Sequence, residues 1–179
     1  MKQMIRRIAF GLTAGVCSTV LAMSPVPRQA DPLTIVEASG KQSALSGYKG
    51  KVVLVQFLFT TCQHCQHAVE LYAKLQKDLG PEGFQAVAIA FNDEVQGAPG
   101  VLNAFAEQHR LNFPVGRATR TTVLNYLGLS QMEMVRVPMI LIVDRKGVVR
   151  MQSKTQGSSE LQDETHLRSL LAGLLRESK

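Results

Sequence analysis

Three short runs of nearly uninterrupted apolar residues limit what this chain can fold into: residues 51–58 (KVVLVQFL), 84–91 (FQAVAIAF) and 139–143 (MILIV). They are rich in β-branched side chains. A strand buried on both faces reads this way, whereas a strand with one face in water alternates. Between these runs the apolar spacing becomes helical. Within residues 62–79 it puts Ala68, Leu71, Tyr72, Leu75 and Leu79 on one face, and Gly80-Pro81 ends the helix. Further helices are expected at 101–109, at 119–127 closed by Gly128, and at 160–176, the last amphipathic through Leu161, Leu167, Leu170, Leu171, Leu174 and Leu175. Shorter strands are expected at 33–36 and 112–115, and residues 92–100 read as loop. Residues 144–147 read as a hairpin turn leading into a strand at 148–152. Alternating strands and helices imply parallel strands joined by crossovers, and the closing hairpin adds antiparallel ones. The expected fold is therefore α/β: one mixed sheet with helices on both faces, in a single domain over residues 31–179.

The residues before that domain have another character. MKQMIRR is basic, residues 8–23 are an apolar run of 16, and SPVPRQADP then breaks any helix with its prolines. Residues 1–22 read as a signal peptide, with Ala22 a plausible cleavage position and Val20 two residues before it. The alternative is a retained N-terminal membrane anchor, which Gly11, Thr13, Gly15, Ser18 and Thr19 weaken. Residues 8–27 are an uncharged run of 20, and about 20 apolar residues span a bilayer. Both readings put the domain in the periplasm or on the outer face of a membrane, with residues 23–30 as linker. Cys17 lies inside this segment, but the bulky Val16 before it argues against a lipid-modified cysteine. Setting aside Lys2, Arg6 and Arg7 leaves 17 basic residues against 14 acidic. That surplus is mild, and no basic stripe interleaved with aromatics points to nucleic acid. Arg117 and Arg120 read as a solvated helix face. With 45% hydrophobic and 19% charged residues, the chain is globular rather than disordered.

Apart from Cys17 there are two cysteines, in the stretch FLFTTCQHCQH at residues 57–67. Cys62 falls where a buried strand becomes a helix. The unpaired N–H groups and partial positive charge of a helix N-terminus stabilise a thiolate. One helical step of three residues turns Cys65 through about 300°, which brings the two sulfurs within bonding reach. Cys62 is then the exposed nucleophile and Cys65 the partly buried resolving thiol. His64, as a cation or a ring N–H donor, would favour the Cys62 thiolate. Two other readings share the residues. A structural disulfide here would close too small a loop to add much stability. A zinc or copper site could draw on Cys62, His64, Cys65 and His67. Zinc sites usually need a second ligand pair, however, and His109 and His166 lie in expected helices without nearby cysteines. No metal is expected.

KVVLVQFLFTTCQHC, followed at a distance by RVPMILIVDRKGVV, resembles the thioredoxin-like fold, in particular its exported TlpA-like and redoxin (AhpC/TSA-related) branch, over most of residues 31–179. The resemblance implies a thioredoxin-like mixed sheet with one inserted helix–strand unit between the cysteine pair and a cis-proline. Pro138 matches that proline, which in the family faces the disulfide. It would leave the Val137 backbone free to pair with an extended substrate strand, with Thr61 on the same substrate-binding surface. The implied activity is thiol–disulfide oxidoreductase, or a related antioxidant redoxin. It needs no dissociable cofactor beyond a redox-active Cys62–Cys65 disulfide. The implied partners are cysteine-containing exported proteins and a membrane or periplasmic redox partner. Several departures matter. The tryptophans usual before the first cysteine are Leu58 and Thr61 here, and the buried acid of thioredoxin is Gln56, which cannot titrate. His64 before the second cysteine is similar to the oxidising DsbA type. FLFTTC is also similar to the copper-handling SCO family, but Gln66 stands where that family has its second cysteine. Phe59 stands where a thiol peroxidase would have threonine.

Overall fold

A computed structural model describes residues 24–177 of the chain. The signal-or-anchor reading of residues 1–22, and Cys17 with it, lies outside the described residues. The strands are β1 (Arg28–Gln29), β2 (Thr34–Glu37), β3 (Gln42–Ala44), β4 (Val52–Leu58), β5 (Phe84–Ala90), β6 (Val115–Arg117), β7 (Met139–Val143) and β8 (Val148–Gln152). The helices are α1 (Gln63–Leu79), α2 (Glu94–Gly97), α3 (Pro99–Gln108), α4 (Arg120–Leu127) and α5 (Glu164–Arg176). The strands form one sheet in the order β1-β8-β7-β4-β5-β6-β2-β3. β4, β5 and β6 run parallel, and the remaining pairings are antiparallel.

The apolar runs are the centre of this sheet. Every residue of β4, β5 and β7 is buried. Period-two geometry splits each strand between two cores. On β4, Val52, Leu54 and Leu58 pack with α1, α3 and α5, while Val53, Val55 and Phe57 pack with α4 on the other face. α1 buries Cys65, Ala68, Val69, Tyr72 and Leu75. Between α1 and Pro138 lie β5, α2, α3, β6 and α4, which include the extra helix–strand unit.

Several boundaries differ from the sequence reading. Arg28–Gln29, placed in the linker, pairs with β8 through Arg28 opposite Val149. β6 starts at Val115 rather than 112, because Pro114 has no N–H to give a ladder and contributes only its carbonyl, to Ala88 N–H at 3.0 Å. Residues 92–100 contain α2 and the start of α3. The last helix breaks at Asp163, where a 3₁₀ turn (Ser159–Gln162) ends and the Asp163 carboxylate caps α5 by accepting His166 N–H at 2.7 Å. Arg117 lies on β6, not on a helix, and donates to the Gln96 carbonyl.

Candidate active site

β4 delivers the chain to a turn at Phe59, Thr60 and Thr61, and α1 starts two residues beyond it. Cys62 is the N-cap of α1, with extended backbone angles. Its sulfur accepts the Cys65 N–H at 3.2 Å, as a serine or aspartate oxygen does at other N-caps. The Cys62 thiol also donates to the Val137 carbonyl at 3.7 Å. Both cysteines are free thiols, Cys62 partly exposed and Cys65 fully buried. Burial pushes the Cys65 thiol far above its ordinary value. The neighbouring Cys62 sulfur adds to this, and backbone hydrogen bonding at Phe59 opposes it.

The Val137–Pro138 peptide is cis. Pro138 is buried and Val137 half-buried, packed against the hydrophobic cores of both sheet faces. The fold thus brings Cys62, Cys65, Val137 and Pro138 together, where the end of β4 meets the start of β7. Thr61, His64 and His67 stand exposed on the rim. His166 is exposed on α5, remote in sequence, and His109 is nearly buried, with its Nδ1 2.9 Å from a Glu70 carboxylate oxygen. Among the described residues, no group of three or more His, Cys, Asp or Glu gathers closely enough to hold a metal ion.

Gln56 is the polar side chain directly behind the pair. It is fully buried on β4, and its Nε2 donates to the Cys65 carbonyl at 3.1 Å. Its Oε1 is buried without a partner. Sequence reasoning did not find what holds the turn. Asn92, just past β5, accepts the Thr60 N–H at 3.2 Å and donates to the Thr60 hydroxyl at 3.1 Å. Gln66 donates to the Thr60 carbonyl at 2.8 Å, and the Phe59 ring lies tilted on Phe91 with centroids 4.7 Å apart. One signal was available: a polar Asn follows a buried strand that pairs in register with the strand leading to the cysteines.

The AhpC/TSA family model matches residues 26–152. The chain belongs to the AhpC/TSA family. Among curated relatives, the thioredoxin-like protein YneN of Bacillus subtilis is 30% identical over 123 residues, 69% of this chain and 68% of that one. The SCO1 protein homolog of Bacillus subtilis is 30% identical over 116 residues, 60% of each chain. The thiol-disulfide oxidoreductase ResA of Bacillus thuringiensis is 23% identical over 139 residues, 78% of this chain and 75% of that one. A putative thiol:disulfide interchange protein DsbE from Chlorobium tepidum superposes with a TM-score of 0.65 at 22% identity, over 83% of this chain and 96% of that one. At that identity the likeness carries the fold, which is thioredoxin-like.

Proposed function

We propose that this protein is exported and exchanges disulfides with the thiols of partner proteins outside the cytoplasm through Cys62 and Cys65. Its class is thiol–disulfide oxidoreductase, of the TlpA-like redoxin group. The observation that carries the finer reading is the inequality of the two sulfurs. Cys62 is accessible at a helix N-terminus, while Cys65 lies buried one turn below. The Cys62 thiolate attacks one sulfur of a partner disulfide, and the partner's second sulfur leaves as thiolate. A mixed disulfide joins Cys62 to the partner. The Cys65 thiol then loses its proton and its sulfur attacks Cys62, releasing the partner as a dithiol and leaving the Cys62–Cys65 disulfide. Two electrons pass to the partner, and run backwards the same steps oxidise it. No dissociable cofactor enters. Val137, whose carbonyl already meets Cys62, offers its backbone to an extended partner segment beside Pro138 and Thr61. His64, exposed on the first helical turn, would favour the Cys62 thiolate as a cation or as a ring N–H donor. A second redox protein, periplasmic or membrane-bound, resets the pair.

Insulin reduction tests the assignment. Cys62→Ser is expected to abolish turnover, whereas Cys65→Ser accumulates a mixed disulfide with the partner. Turnover that survives Cys62→Ser would end this reading. In equilibrium with glutathione, His64→Pro is expected to shift the pair toward its disulfide, and the opposite shift removes His64 from the assignment. A reporter active only outside the cytoplasm, fused after residue 30, reads the export. The SCO1 relative favours copper carriage as the second reading, and Cu(I) retained by the wild type and lost in Cys62→Ser would support it. Peroxide consumption that needs Cys62 and not Cys65 would instead mark a thiol peroxidase.

A further inference from the structure

A cavity of about 230 Å³ opens at the far end of the sheet from the cysteines. Its apolar lining includes Pro32, Leu45, Val53 and Val143. Val53 and Val143 belong to the core on the α4 face, opposite the face that α1 covers. Along β4, Val53 is five residues before Leu58, which is about 17 Å of strand. The cavity is thus separate from the redox site in both face and end.

Its polar lining is unbalanced in charge. Lys49, Lys51 and Lys146 all contribute, against Asp31 and Asp144. Asp144 is already engaged. One carboxylate oxygen accepts Lys146 N–H and Val148 N–H, both at 2.9 Å, and the other accepts Arg150 at 3.1 Å. Lys51 donates to Gln85 at 3.1 Å. The ammonium groups of Lys49 and Lys146 have no hydrogen-bond or ion-pair partner among the described residues, and both side chains are exposed. An apolar interior below two unpartnered cations suits a ligand with an apolar body and one anionic end. The volume lies just below the usual range for small-molecule sites, about 300–1,000 Å³, so the ligand is small.

We infer that this cavity binds a small organic carboxylate whose hydrocarbon part rests on Val53, Val143, Leu45 and Pro32 and whose carboxylate lies between Lys49 and Lys146. Leu45 and Tyr48 also line a second, very small apolar cavity toward Ile35 and Ile89. That cavity gives the hydrocarbon part room to extend if those two side chains move. The cavity also reaches Gln29 and Ala30. Occupancy would therefore tie β1 and the segment after it to the β7–β8 turn.

The test is calorimetric titration of the full-length protein with 3-phenylpropanoate and with its neutral amide. The carboxylate is expected to bind saturably and at least tenfold more tightly than the amide. The double variant Lys49→Ala, Lys146→Ala is expected to bring the carboxylate down to the amide's affinity. Ser46→Trp, on the exposed rim, is expected to weaken both ligands. Insulin reduction is expected to stay unchanged in all these variants, because none touches the cysteine site. Absence of saturable carboxylate binding overturns the inference. So does equal affinity for carboxylate and amide, which would mean a purely apolar occupant, or binding that neither variant alters.

Discussion

The amide of Gln56 stands where a titratable group would change the chemistry most. Cys65 is buried, and burial favours its protonated thiol. Yet its sulfur has to ionise before it can attack the mixed disulfide. The Gln56 side chain can only hold the Cys65 carbonyl, and its own Oε1 has no donor to accept. Resolution should therefore speed up with pH as the Cys65 thiolate fraction grows, across about pH 6 to 9. Gln56→Glu places a carboxyl at this buried point and should raise the rate by roughly tenfold in the upper part of that range, where burial still lets the carboxyl ionise and accept the Cys65 proton. Stopped-flow decay of the mixed disulfide measures it. A pH-independent rate in the wild type would remove Gln56 and proton loss from the limiting step. Cys62 and Cys65 were legible in the sequence because strand–CxxC–helix spacing sets their relation locally, and Gln56 through the resemblance to thioredoxin, whose buried acid it replaces. Asn92 and Thr60 were not, because their pairing depends on the β4–β5 register, which joins residues 32 apart.

At the scale of elements, the β7–β8 turn is organised by one carboxylate. Burial pushes Asp144 up, but hydrogen bonds from Val148 N–H, the Arg150 guanidinium and Lys146 N–H outweigh it and hold the carboxyl below its ordinary value. A carboxyl depressed in the folded state adds stability above its unfolded value, near 3.9. That stability is lost as pH falls through the lower folded value. Asp144→Asn should then cost about 1–3 kcal/mol at neutral pH. The gap to wild type in urea unfolding should close as pH drops below about 4. A gap that stays constant across that range would mean the carboxylate charge plays no part in the turn. The sequence reading of this turn held, because Asp-x-x-Gly chemistry is local. Boundaries elsewhere shifted for equally specific reasons. Asp163 caps α5 and splits a continuous apolar pattern, and Pro114 withholds the N–H that an earlier β6 would need.

Across the whole molecule, two cores share one sheet, and β4 is in both. Tyr72 reports on the core under α1 and Tyr126 on the core under α4, so tyrosine fluorescence senses both and circular dichroism senses the backbone. Both signals should unfold together, and Leu54→Ala should shift both midpoints, at a cost of about 2–5 kcal/mol. Two successive steps in the fluorescence, only one of them shifted by Leu54→Ala, would show that the faces are independent. Residue order alone determined the α/β class, the buried central strands and the helix that begins at the cysteines. Each of these follows from periodicity, turn chemistry or short-range spacing. The Val-Pro beside the cysteines, 75 residues along the chain, was legible only through the resemblance to thioredoxin-like proteins. Tertiary structure decided the rest: β1 on the β8 edge, β2 and β3 beyond β6, and the lysine-rimmed cavity at the far end. Those features are set by which edges remain unpaired once the central strands have packed. That depends on contacts between segments distant in the chain, which local pattern does not encode.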